Sequence, residues 1–102
     1  MNEPPSNPVA VVVGVGAGLG TALARRFAHG YRVALVARSE AVTAALAEEI
    51  QSAGGVALPI QSDATVPEQV ARAYEQIRSA FGTPSVLMYN GGRRPFGTKR
   101  PA

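Results

Sequence analysis

Four glycines at alternate positions, Gly14, Gly16, Gly18 and Gly20, form the stretch of this chain whose residue types and spacing most directly suggest chemistry. They follow an apolar run, Val9–Val13, and lead into Leu19, Ala22, Leu23 and Phe27 at helical spacing. A short β-branched run of this kind reads as a strand buried on both faces, so the glycines occupy a strand-to-helix turn. Such a turn is an anion site. Glycine lets the backbone bend tightly and approach a ligand, and the free N–H groups and dipole of the helix start favour negative charge. A phosphate fits that chemistry, with a purely structural glycine turn as the alternative. The G-x-G-x-x-G pattern fails from Gly14, because its third glycine falls on Leu19. The pattern G-x-x-x-G-x-G through Gly14, Gly18 and Gly20 fits.

Further candidates lie at the ends of the later apolar runs. Where nucleotide folds that prefer NAD carry an acid for the ribose 2′-hydroxyl, this chain has Ala37, Arg38 and Ser39. A guanidinium pairs bidentately with a 2′-phosphate and stacks on adenine, so the residue types favour NADP(H) over NAD(H). The plainer alternative for Arg38 is a surface arginine near a helix start. His29 is the single histidine and has no Cys, Asp or Glu at ligand spacing, so it reads as structural and no metal site is expected.

The elements that must position these residues alternate. Strand one covers about 9–13 and helix one about Leu19 to His29, ending at Gly30 as a left-handed cap. Strand two covers 31–37. Ser39 caps helix two, which runs to about Ala53 with Val42, Ala45, Leu46 and Ile50 inward, and Gly54 and Gly55 end it. Strand three, 56–60, contains Pro59, which cannot donate to a ladder and so belongs at an edge. Thr65 and Glu68 fit a capping box for helix three, whose apolar stripe is Val66, Val70, Ala73, Tyr74, Ile77 and Phe81, stopped by Gly82. Strand four covers 85–89, and Asn90, Gly91 and Gly92 turn off its end. This alternation implies parallel strands joined by right-handed crossovers, an α/β doubly wound sheet of four strands in order 3-2-1-4 with three helices. The ligand crevice of such a sheet lies outside the carboxyl ends of strands one and four, where Gly14–Gly20 and Asn90–Gly92 fall.

The glycine spacing resembles that of the short-chain dehydrogenase/reductase family, whose first turn usually reads T-G-x-x-x-G-I-G; Val13 stands here for the Thr and Leu19 for the Ile. Ser62-Asp63-Ala64-Thr65 is similar to the family's D-V-T segment, and Tyr89-Asn90-Gly91-Gly92 to its N-N-A-G, departing at Tyr89 and Gly91. The resemblance covers about residues 8–92 and implies a truncated Rossmann-like domain that binds a nicotinamide dinucleotide. It implies contacts from the first turn (Gly14, Gly16, Ala17, Gly18, Leu19, Gly20) and from Ala37, Arg38 and Ser39. It also implies that Asp63 meets the adenine amino group, that Ala64 offers a backbone contact, and that Asn90, Gly91 and Gly92 border the ribose region. Asp63 as a turn or capping carboxylate is compatible with that role. Family members catalyse with a Ser, a Tyr and a Lys, the last two spaced Y-x-x-x-K, beyond strand four. Here the single lysine is Lys99 and the tyrosines are Tyr31, Tyr74 and Tyr89, so no catalytic residue is assigned.

Composition bounds the rest. At 102 residues with 46% hydrophobic and 17% charged content, the chain is a globular domain at most. Residues 1–8 read as a loose proline-rich leader without a secretory pattern, 9–92 as the NADP-binding half-domain, and 93–102 as a basic tail. That tail holds four of the ten basic residues and no acid, yet no nucleic-acid-binding motif accompanies it, so no nucleic-acid partner is expected. No apolar run approaches membrane-spanning length, and there is no cysteine; a cytoplasmic protein without a membrane partner is expected. Strand four has a bare apolar edge and helix three alone covers one sheet face. A homo-oligomer joined through that edge or that face is therefore expected, and a non-catalytic module acting through association is the alternative to a cofactor-binding half.

Overall fold

The computed structural model describes residues 7–14 and 18–89. Its elements are β1 (Val9–Val13), α1 (Gly18–Phe27), β2 (Arg32–Ala37), α2 (Glu40–Ser52), β3 (Ala57–Gln61), α3 (Pro67–Phe81) and β4 (Val86–Tyr89). The strands form one parallel sheet in the order β3-β2-β1-β4, as the strand–helix alternation predicts.

Alternation along the central strands sorts the core into two layers. Val12, Val33, Leu35 and Ala37 join Ala24, Leu46, Ala47 and Ile50 on the face covered by α1 and α2. Val9, Val11, Ala34 and Val36 face the other way and pack with Ile60, Ala73 and Ile77 under α3. Every residue of β2 from Val33 to Ala37 is buried. The central strands therefore read as continuous apolar runs, because neither of their faces meets water. Pro59 sits exposed in the edge strand β3, opposite Leu35.

Several local details depart from the sequence pattern. α1 ends at Phe27 rather than His29, and Gly30 is not left-handed; its N–H instead donates to the Phe27 carbonyl at 3.1 Å, closing a tight turn. Positive φ instead marks the exits of α2, at Gly54 with φ 95°, and of α3, at Gly82 with φ 94°. In α2, Ala45 is exposed while Thr43 and Ala47 are buried, so the buried stripe is Thr43, Leu46, Ala47 and Ile50. Thr43 can be buried because its hydroxyl donates to the Glu40 carbonyl at 3.1 Å, within its own helix. The Thr65–Glu68 capping box does not form. Pro67 takes the first helical position, and the residue before a proline is excluded from helical geometry. Val66 thus becomes the N-cap at φ −111°, ψ 109°, without a side-chain cap bond.

Among the described residues, one face of the sheet is only partly covered. Along the stripe of α3, Ala73 and Ile77 are buried, but Val70 and Tyr74 are 44% and 47% exposed. On β4, Leu87 and Tyr89 are 67% and 53% exposed. These side chains, with Val13 and Ser62, border an apolar cavity of about 280 Å³ between α3 and β4.

Candidate functional site

The parallel register brings the strand ends to one rim of the sheet. Val13 lies opposite both Val36 and Tyr89, and Ala37 lies opposite Gln61. The chain therefore leaves β1 at Gly14, β2 at Arg38 and β3 at Ser62 on the same side. Gly14 has φ 94° and donates its N–H to the Val36 carbonyl at 2.7 Å, which pins the turn to the neighbouring strand. A side chain at that dihedral is strained, so the turn requires glycine.

α1 begins at Gly18 with no acid in its first turn, so no carboxylate of that turn offsets the positive end of its dipole. A Cβ built on Gly18 meets nothing within 4 Å, so there is open room above the helix start for a ligand group. Gly20 is buried, and Leu19 is exposed beside it. Gly16 and Ala17, like Asn90, Gly91 and Gly92, lie outside the described residues.

After β2, the three predicted residues divide their work. Ala37 is buried in the core, so only its backbone reaches the rim; its carbonyl accepts from the Ser62 N–H at 2.8 Å. Ser39 is the N-cap of α2, its hydroxyl accepting from the Val42 N–H at 3.3 Å. Arg38 is exposed, and Gln61 Nε2 donates to its carbonyl at 3.1 Å. Its exposed side chain immediately follows the carboxyl end of β2.

Asp63 is tied on several sides, with Ala64 exposed next to it. Its Oδ1 accepts from the Thr65 N–H at 2.9 Å and the Thr65 hydroxyl at 2.7 Å. Its own N–H donates to Gln69 Oε1 at 2.8 Å. The Thr65 hydroxyl and amide, and more weakly the positive charge of Arg38, hold its carboxyl below the usual aspartate range. The sequence pattern gave Gln61 and Gln69 no role and misassigned Thr65. The Val66-Pro67 dipeptide was the signal that shifts the helix start and frees Thr65 for Asp63. Ser62 opens the 62–65 segment but was given no role of its own: its hydroxyl is buried at the cavity wall and has no hydrogen-bond partner among the described residues.

A phosphate-suited turn, a helix start and an exposed arginine on one rim of a 3-2-1-4 sheet agree with the sequence comparison: the family model for short chain dehydrogenases matches residues 8–101. The chain belongs to the short chain dehydrogenase family. Among curated short chain dehydrogenase relatives, it is 45% identical over 85 residues to an uncharacterized oxidoreductase of Caenorhabditis elegans, an alignment covering 80% of this chain and 27% of that protein. Among solved structures, it matches a hydroxysteroid dehydrogenase from Escherichia coli with a TM-score of 0.83 at 28% identity, covering 89% of this chain and 38% of that one. A metagenomic short-chain oxidoreductase in complex with NADP matches with a TM-score of 0.80 at 35% identity, covering 94% of this chain and 46% of the other. The chain spans about a quarter to a third of the length of the curated relatives it matches. No helix among the described residues is long and apolar enough to cross a membrane.

Proposed function

We propose that residues 9–92 bind NADP(H), in preference to NAD(H), as the cofactor half of an oxidoreductase, and that this chain alone does not turn over substrate. The observation that carries the proposal is the convergence of Gly14, the open start of α1, Arg38 and Asp63 on one rim of the sheet. The residues present fit the cofactor. Gly14–Gly20 offers backbone N–H groups and a helix dipole to the pyrophosphate. Arg38 offers a bidentate partner to a 2′-phosphate, and Asp63 and Ala64 border the adenine end. Asn90, Gly91 and Gly92 follow Tyr89 in the sequence. The NADP complex of a structural relative supports the same cofactor class. Bound there, the nicotinamide would supply hydride chemistry. The side chains named here hold and orient the dinucleotide, and none of them is assigned to proton transfer.

A second role is favoured by Leu87, Tyr89, Val70 and Tyr74, which stand exposed around one apolar cavity. We propose that the chain self-associates through the β4 edge or this face. Isothermal titration of the 102-residue chain with NADPH and then NADH tests the first role. Micromolar binding that favours NADPH is expected. An intact fold by circular dichroism that binds neither dinucleotide would refute it and leave association as the remaining function.

A further inference from the structure

Ser62 carries a hydroxyl that the fold buries and leaves unpaired. The residue is 3% exposed, and its Oγ has no hydrogen-bond partner among the described residues. Its placement follows from strand alternation. Leu58 and Ile60 of β3 pack in the layer under α3, so Ser62, two residues on, falls on the same side of the sheet. Its N–H donates to the Ala37 carbonyl at 2.8 Å, which holds it there. A buried hydroxyl without a partner is costly, and most such groups in folded proteins find one.

The space beside this hydroxyl is the apolar cavity of about 280 Å³ between α3 and β4. Val11, Val36, Ala73 and Ile77 form its buried walls, and Val70 and Leu87 stand exposed at its mouth. On those buried walls Ser62 alone brings a polar side-chain atom, fewer than the about two to four partners that an ordered internal water takes. A mostly apolar recess with one polar group has the composition of a small-molecule site. Its volume exceeds the about 150 Å³ of a cavity that takes up benzene, which leaves room for a second ring.

We propose that this cavity binds a small aromatic alcohol of one or two rings, with the rings against the valines and Ile77 and the hydroxyl paired with Ser62 Oγ. The cavity is thereby assigned to a ligand and the β4 edge is left for association; the dinucleotide function is not required. The walls select the class. No charged side chain is among the described lining residues, so an ionised ligand would lose its water without a counter-charge. A hydrocarbon would leave the serine unpaired. A hydroxyl both donates and accepts, so it complements whichever role Ser62 takes.

The probes are 1-naphthol and 1-methylnaphthalene, alike in shape and different in the polar group, each titrated into the full chain by amide NMR. Saturable binding of 1-naphthol is expected, with the largest shifts at the cavity walls. Ser62→Ala should weaken 1-naphthol by about threefold to tenfold, the ordinary worth of a hydrogen bond, and leave 1-methylnaphthalene unchanged or tighter. The melting temperature of the free Ser62→Ala chain should stay level or rise, because the variant loses an unpaired group; a serine with a structural bond would lower it. Val70→Trp, at the exposed mouth, should weaken both probes. Failure of the folded chain to bind 1-naphthol overturns the proposal, and a dimer by sedimentation would then assign the cavity to a second copy. An equal effect of Ser62→Ala on the two probes, or unchanged affinities in Val70→Trp, overturns it as well. The NADPH titration is separate, and its failure leaves these outcomes standing.

Discussion

Leu87→Lys should break self-association, and the size of the effect follows from exposure. Leu87 stands on β4 with 67% of its surface accessible, beside the uncovered part of the sheet. Burying a leucine fully is worth about 1.5–3 kcal/mol, so covering the remaining two-thirds contributes about 1–2 kcal/mol per copy. A two-fold interface uses the residue twice, which gives about 2–4 kcal/mol per dimer. That corresponds to a dimer dissociation constant raised by about 30- to 1,000-fold. The lysine charge adds repulsion across the axis and is itself a device that keeps strand edges apart. Sedimentation equilibrium over a range of concentrations reads the constant directly. Val56→Lys is the control: Val56 is 46% exposed but precedes β3, at the far side of the sheet. An unaltered chain that stays monomeric at micromolar concentration would refute the idea. So would equal shifts from the two lysine variants.

Two further outcomes are expected. Arg38→Asp removes the cation proposed for the 2′-phosphate and sets a second carboxylate near Asp63. The NADPH/NADH affinity ratio should fall by roughly tenfold to a hundredfold, and an unchanged ratio in titrations would show that Arg38 does not read the phosphate. The second concerns acid. Glu49 is held below the usual glutamate range first by its hydrogen bond from Arg25, with Nε to Oε2 at 2.6 Å, and Asp63 is held low by Thr65. Both carboxyls are depressed in the fold, so their stabilisation is complete above the ordinary values of 4.5 and 3.8 and is lost as pH falls through the folded ones. Thermal melting should therefore drop in acid with a shallower slope in Glu49→Gln, and the Arg25–Glu49 share should shrink in high salt because the pair is exposed. Identical slopes for the two proteins would count against the assignment.

Much of the architecture could be read from residue pattern because the pattern has one physical cause. A strand covered on both faces must be apolar throughout, so Val9–Val13 and Val33–Ala37 announce central parallel strands, and Pro59 announces the edge. The site was legible where chemistry demands a residue type, as at Gly14 with its positive φ. It was not legible where one residue has two uses. Thr65 suits a cap as well as a turn, and the choice belongs to Pro67, which forbids the residue before it from entering the helix. Ala45 matched the apolar period of α2, but a polar residue, Thr43, takes the buried place by satisfying its hydroxyl inside the helix. Gln61 and Gln69 carried no pattern, because their partners come from other segments of the chain.

Pro59 gives the sheet a direction of growth. A strand edge can recruit another strand only through unpaired backbone donors and acceptors, and proline removes a donor from the outer side of β3. The opposite edge, β4, carries no proline. On the self-association proposed above, each chain would join through one border and be blunted at the other. If two copies join β4 to β4, the product is a continuous eight-stranded sheet, counted as twice the four strands of one chain, with a proline-bearing strand at each outer limit. Addition would then stop at two, and the feature that marks β3 as an edge in the sequence would also make such an assembly finite rather than fibrous.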